Sequence, residues 1–201
     1  MNKIILFISI LFISFSLVAQ NEVAEKMKKS DKIVFNCFMD IWQNALKNAA
    51  LEAYNPGISY STFQDNPIGN SHFSIAYGLG FSFHNMYSAS FLKYDSLWNS
   101  NFVEIDKDIK YKKNKHTFAY LNTPVELRYR AKGKNSFKVS LGFNFGVLLQ
   151  EHHKYIGDDF MIDKTKHTIK LKEYKHKNIE FYRYSVSARV GYKWFNIFGD
   201  Y

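Results

Sequence analysis

Long stretches in which bulky apolar residues alternate one-for-one with small or polar ones limit this chain more than any other feature. Phe73, Ile75, Tyr77, Leu79, Phe81 and Phe83 form one row, and Ser74, Ala76, Gly78, Gly80 and Ser82 form the other. A helix turns about 100° per residue and would scatter both rows around its axis, whereas an extended strand keeps them apart. The same pattern sets Phe137, Val139, Leu141, Phe143, Phe145, Val147 and Leu149 against Lys138, Ser140, Gly142, Asn144 and Gly146, with only Leu148 out of phase. Tyr182, Tyr184, Val186, Ala188, Val190 and Tyr192 likewise oppose Arg183, Ser185, Ser187, Arg189 and Gly191. Ala119, Leu121, Thr123, Val125, Leu127 and Tyr129 oppose Asn122, Pro124, Glu126, Arg128 and Arg130. Weaker alternation marks Ile33 to Trp42 and Ile58 to Gln64, and a seventh window opens at Phe195. The spacing predicts an all-β, antiparallel fold.

Connection lengths alternate too. Asn66 to Ser71, Lys132 to Ser136 and Lys193-Trp194 are short, while Gln43 to Asn55, Asn85 to Asn114 and Glu151 to Ile179 read as long polar loops. Short turns on one rim and long loops on the other are the habit of outer-membrane barrels, and a soluble sandwich would return by turns of more equal length. Ala45, Leu46, Ala49, Ala50 and Ala53 give the first long segment some helical character.

Side-chain size and charge indicate which row faces inward. A barrel of about eight strands has an interior just wide enough for side chains to fill, which suits the Gly, Ala and Ser rows. An Arg facing lipid costs roughly 2–4 kcal/mol at the midplane. Glu126, Arg128, Arg183 and Arg189 all share the small-residue side, and none interrupts an apolar row. Ten residues at about 3.3 Å, tilted near 45°, cross roughly 23 Å, close to the apolar band of about 25 Å. Tyr129, Tyr192 and Trp194 fall near the short-turn ends and Phe83 and Tyr182 near the long-loop ends, where aromatic girdles belong. Mean hydropathy of −0.30 excludes a bundle of membrane helices and leaves such a barrel open.

The first twenty residues carry Lys3, an apolar run from Ile4 to Phe15 broken only by Ser9 and Ser14, and Ala19 before Gln20. This is the layout of a secretory signal peptide, too short to span a bilayer. Residues 1–19 are therefore expected to be a signal peptide and 20–201 a barrel domain. The single cysteine, Cys37, has no partner in the chain.

Lys32-Ile33-Val34-Phe35 with Asp40-Ile41-Trp42, Ile68 to Gly80, Tyr120 to Tyr129, and Arg189-Val190-Gly191-Tyr192 together resemble the PorT-like family of small outer-membrane β-barrels. The most specific is Leu121-Asn122-Thr123-Pro124-Val125-Glu126-Leu127-Arg128-Tyr129, because proline is rare inside a central strand. The resemblance implies an up-and-down transmembrane barrel of eight strands in the outer membrane of a diderm bacterium, with no catalytic residues. The sequence ends at Tyr201 inside the seventh window. The expectation is thus a barrel whose strands seven and eight are truncated or missing here, or one in which the N-terminal lead or a loop supplies a strand.

Glu126, Arg128, Arg130, Lys138, Arg183 and Arg189 are expected to share the lumen as an ionic cluster, with Asp40 and Asp200 elsewhere. Buried charges need partners, so the cluster reads as an ionic plug, with Glu126 paired to Arg189 or Arg128, rather than as an anion path. His152 and His153, near Glu151, Asp158 and Asp159, match no standard metal spacing, and no metal or cofactor is expected. Ser82 and His84 share the lumen face, away from lipid, so no enzyme is expected. The net charge of +9 comes largely from lysines 107, 110, 112, 113 and 115 and from lysines 154, 164, 166, 170, 172, 175 and 177. Interspersed acids there argue for solvated loops over nucleic-acid binding. The expected partners are outer-membrane lipids, with these lysines on lipopolysaccharide phosphates, and envelope proteins.

The resulting expectation is a structural or interaction protein, in envelope maintenance or as an accessory to secretion. A narrow anion-selective channel and a lipid-modifying enzyme are the alternatives. Cleavage after Ala19 leaves 182 of the 201 residues, so intact-mass measurement of the exported chain is expected to read a product beginning at Gln20. A product retaining Met1 would contradict the signal peptide.

Overall fold

A computed structural model describes residues 32–43, 49–96, 100–131, 137–159, 167–174, 176 and 179–201. The expected signal peptide, the lead up to residue 31, Ala45 and Leu46, the turn 132–136, and lysines 164, 166, 175 and 177 lie outside the described residues. The strands are β1 (Ile33–Met39), β2 (Pro56–Pro67), β3 (Phe73–Tyr87), β4 (Ser90–Tyr94), β5 (Ser100–Glu104), β6 (Tyr111–Arg130), β7 (Phe137–Asp158), β8 (Thr168–Tyr174), β9 (Tyr182–Tyr192) and β10 (Phe195–Asp200). All seven alternating windows are strands. No helix among the described residues is long and apolar enough to cross a membrane.

Seven strands run in series, β1-β2-β3-β6-β7-β9-β10, each antiparallel to its neighbours. β8 adds a flap to the far end of β7, and β4 with β5 forms a separate hairpin. The series curls into a half-barrel. Side chains of β9 reach β3 and β6 across its hollow, and the rings of Phe38 on β1 and Phe198 on β10 come within 6.2 Å.

Exposure follows the alternation. Phe73, Phe81, Val125, Leu141, Phe143, Tyr184 and Val190 point outward and are 45–64% exposed, whereas Ser74, Ser82, Asn122, Glu126, Arg128, Ser140 and Ser185 are buried in the concave side. In a water-soluble protein this would be inverted. Among the described inward apolar residues, Val34, Phe63 and Ala76 make one small cluster near the short-turn end. Cys37 lies on the outward face.

Two local devices shape the sheet. Pro124 has no N–H to give, and the β3–β6 ladder skips from Tyr77↔Val125 to Gly80↔Asn122 beside it. Gly78, which falls in that gap, is hemmed in on its other side, where a Cβ would collide with the Thr62 carbonyl of β2. On the other side of β6 the register slips between Ala119↔Gln150 and Tyr120↔Leu148, leaving Leu149 as an extra residue in β7. Such a bulge reverses which residues face inward. Before it the inward positions of β7 are even-numbered, from Lys138 to Leu148; beyond it they are Glu151, His153 and Tyr155.

This corrects the expected loops. Much of Asn85–Asn114 and Glu151–Ile179 is strand: β3 and β7 run past the apolar rows, β6 starts at Tyr111, and β4, β5 and β8 lie wholly within them. These extensions escape the apolar alternation because both faces are polar, and β7 trades β9 for β8 as its neighbour above Tyr182. The described part of the first long segment has no helix; Leu51 forms a β-bridge to Ser88.

Phe143→Arg places a guanidinium on the outward row near mid-strand, and about 2–4 kcal/mol of stability should be lost in urea titrations in lipid vesicles. A cost near zero would mean that this face does not meet hydrocarbon.

Candidate functional site: the charged interior

Every second residue of β6 and β9 is aimed at the concave side, so the sequence delivers Glu126, Arg128, Arg189 and Arg183 there without any special loop. Glu126, 3% exposed, accepts hydrogen bonds from two guanidiniums: Arg128 Nε at 2.7 Å on its own strand and Arg189 Nη2 at 2.9 Å from β9. Asp65 of β2 continues the chain, bonded to Arg130 and 3.8 Å from Arg128 Nη1. The Arg128 guanidinium also lies over the ring of Phe63, 4.3 Å from its centre. Three strands, β2, β6 and β9, are thereby tied by alternating charges, each carboxylate holding at least one guanidinium. Lys138 stands on the same face, opposite Arg130 and Gly191 by register.

Arg183 belongs to a second group nearer the long-loop end. It contacts His84 Nε2 from across the hollow and lies 3.9 Å from Asp200. His84 Nδ1 is 2.9 Å from Asp40 Oδ2, and its Nε2 is 3.0 Å from Ser82 Oγ, which also accepts from Asn122 Nδ2 at 2.8 Å. Ser82, His84 and Asp40 thus stand in the order of a hydrolase triad. Arg183 changes what they can do. A guanidinium can only donate, so it engages the Nε2 lone pair that would have to take the Ser82 proton. The six expected residues therefore divide: Glu126, Arg128, Arg130 and Arg189 join through carboxylates, Lys138 stands beside Arg130 by register, and Arg183 sits apart with His84. Asp65, Asp40 and His84 were not foreseen as members. Their inward parity was readable for Asp65 and His84, but the weak alternation around Asp40 hid its direction.

With inward charge and outward apolar rows established, comparison with known proteins becomes specific. Residues 40–201 match the family described as outer membrane protein beta-barrel domain. The chain belongs to that family. No curated protein and no solved structure matches it significantly. In this outer-membrane barrel domain the stretch Leu121 to Tyr129 of β6 supplies both Glu126 and Arg128 to the inner wall.

Above the bulge the barrel domain carries a second polar chamber. His116 of β6, Glu151 and His153 of β7, and His176 converge there, and all four side chains are at most 5% exposed. Asn114 donates to the carbonyls of Ser88 and Ser90 at 2.7 and 2.9 Å, so its Oδ1 is left facing His153 Nε2. Phe91 and Phe102 of the β4–β5 hairpin lie edge-on to His153 and His116. Burial raises the Glu151 carboxyl, but His116 3.9 Å away and the bonds from His176 more than offset this and hold it at about 2. Burial, reinforced by the neighbouring imidazoles, lowers His153 to about 3, so it is neutral. Glu151 keeps His176 above the usual imidazole range. His153 is therefore part of a buried chamber on an extended strand, not of a solvated loop.

Replacing Glu126 by Gln strips the shared counter-charge from Arg128 and Arg189. A loss of about 3–5 kcal/mol is expected, read as a missing heat-resistant compact band in detergent electrophoresis. An unaltered band would remove Glu126 from the structural account.

Proposed function

We propose that this outer-membrane barrel is a structural or interaction protein of the envelope, of the PorT-like kind, serving envelope maintenance or secretion as an accessory rather than as a channel or an enzyme. The observation that carries this reading is the filled interior. Carboxylate–guanidinium ties cross the hollow from β2 to β6 and from β6 to β9, leaving the functional surface outside the lumen.

The outer face offers one such surface. Just beyond the apolar rows, Lys115, Lys154 and Lys172 stand side by side on β6, β7 and β8, each directly opposite the next. Like charges so placed repel, and a row of three needs anions to be comfortable. Burial, with Lys113 and Lys154 nearby, lowers the Lys115 ammonium from its usual range. Phosphates of outer-leaflet glycolipid fit this row in charge and height, and lipopolysaccharide is the partner it favours.

The second reading, a lipid hydrolase, draws on the Ser82, His84 and Asp40 alignment. Against it stand Arg183 on the Nε2 lone pair and the burial of Ser82 on the side away from lipid.

The Lys115→Gln, Lys154→Gln, Lys172→Gln triple variant should weaken binding to lipopolysaccharide vesicles by about 3 kcal/mol, taking about 1 kcal/mol for each lysine near an anionic surface. Added salt should weaken the native protein similarly, and salt-insensitive binding would overturn the assignment. Planar-bilayer recordings are expected to show no unitary conductance; steady anion-selective steps would favour the channel. Loss of lipid deacylation specifically in Ser82→Ala, seen by mass spectrometry, would favour the hydrolase.

A further inference from the structure

The chamber above the bulge has the construction of a metal site. Three ligand atoms, His153 Nδ1, His176 Nε2 and a Glu173 carboxylate oxygen, lie within 4.8 Å of one another. Glu173 Oε2 is 3.7 Å from each of the two imidazole nitrogens. Around a tetrahedral ion held at about 2.0–2.1 Å, ligand atoms stand about 3.4 Å apart, so the two Glu173 distances need adjustments of only a few tenths of an ångström, with the two ring nitrogens within 4.8 Å of each other. The two rings meet at 78°, edge to face.

What distinguishes this trio from a chance cluster is the treatment of the opposite ring nitrogens. A ligating imidazole normally gives its other N–H to a carbonyl or carboxylate, which fixes the tautomer and aims the lone pair. Both rings have such a partner. His153 Nε2 faces Asn114 Oδ1, and Asn114 cannot turn over without losing its bonds to the Ser88 and Ser90 carbonyls. His176 Nδ1 is bonded to Glu151, whose other oxygen accepts from the His176 backbone N–H at 3.1 Å. The nitrogens left over are the two that converge on Glu173. The neighbouring trio of His116, Glu151 and His176 Nδ1 is a poorer cage, because Glu151 and His176 already touch and leave no ion-sized gap.

We propose that His153 Nδ1, His176 Nε2 and Glu173 bind a divalent first-row transition ion of the Zn²⁺ class, oriented by Asn114 and Glu151. Imidazole ligands select such ions over Ca²⁺ and Mg²⁺, which take oxygen cages. Glu173, 48% exposed, gives the ion its entrance, while His153 and His176 form the buried floor. The ion would tie β8 and the segment after it to β7, at the membrane-distal end of the barrel.

The test is calorimetric titration of the refolded full-length chain in detergent micelles with Zn²⁺ alone. Cobalt absorption provides a second readout of nitrogen and oxygen ligation. One equivalent is expected to bind. His153→Gln and His176→Gln should weaken binding by at least about a hundredfold, Asn114→Ala by about ten- to a hundredfold, and His152→Gln, whose ring faces outward, should have no effect. Glu173→Gln, at the half-exposed edge, is the variant to rely on if the buried ones fail to give the compact band. Absence of stoichiometric binding, or equal affinity in the native chain, His176→Gln and Glu173→Gln, would overturn the proposal and leave His176 as a proton-bearing bridge between two glutamates.

Discussion

The width of the interior governs this protein. A sheet curled this tightly has room on its concave side for glycine, serine and a small number of long polar side chains, and nothing bulky can be repeated there. Apolar mass must go outward, so the sheet needs hydrocarbon as its solvent. Any charge that remains inside must find its opposite within a few ångströms. Glu126, shared between a guanidinium on its own strand and one from β9, is where these demands meet.

The same constraint explains the two storeys. Within the apolar rows the convex side faces lipid and the concave side is charged but internally neutralised. Above them the convex side becomes a line of lysines and the concave side a chamber of imidazoles and carboxylates roofed by the β4–β5 hairpin. The lower storey is tied by carboxylate–guanidinium pairs, and the upper one gathers imidazoles around Glu151. Cross-strand pairing of β3, β6 and β7 continues through both.

Much of the lower storey was legible in the sequence, because lipid enforces strict alternation and the rule reads in both directions. Phe73 to Phe83 and Tyr182 to Tyr192 show their inward and outward sides without ambiguity. The upper storey was not legible, since neither side of its strands meets hydrocarbon and Lys113, Lys115 and Lys154 carry no period that separates strand from loop. His153 could not be aimed from sequence for a second reason: the slip at Leu149 changes the parity, and its only trace is Leu148 standing out of phase. Asp65 and His84 follow from alternation once their strands are phased, whereas the meeting of His153 with His176 depends on a flap strand that alternation does not reveal.

The extra residue at Leu149 therefore acts as a reading-frame shift written in protein. An alignment run straight through that position without allowing for the extra residue would assign the outer-rim residues of β7 to the wrong side, putting His153 on the convex face and Lys154 in the chamber. Comparisons across such barrels need to be phased separately below and above the kink. A single residue at Leu149 thus decides which side chains of the rim face inward, while the phase of the wall beneath it is unchanged.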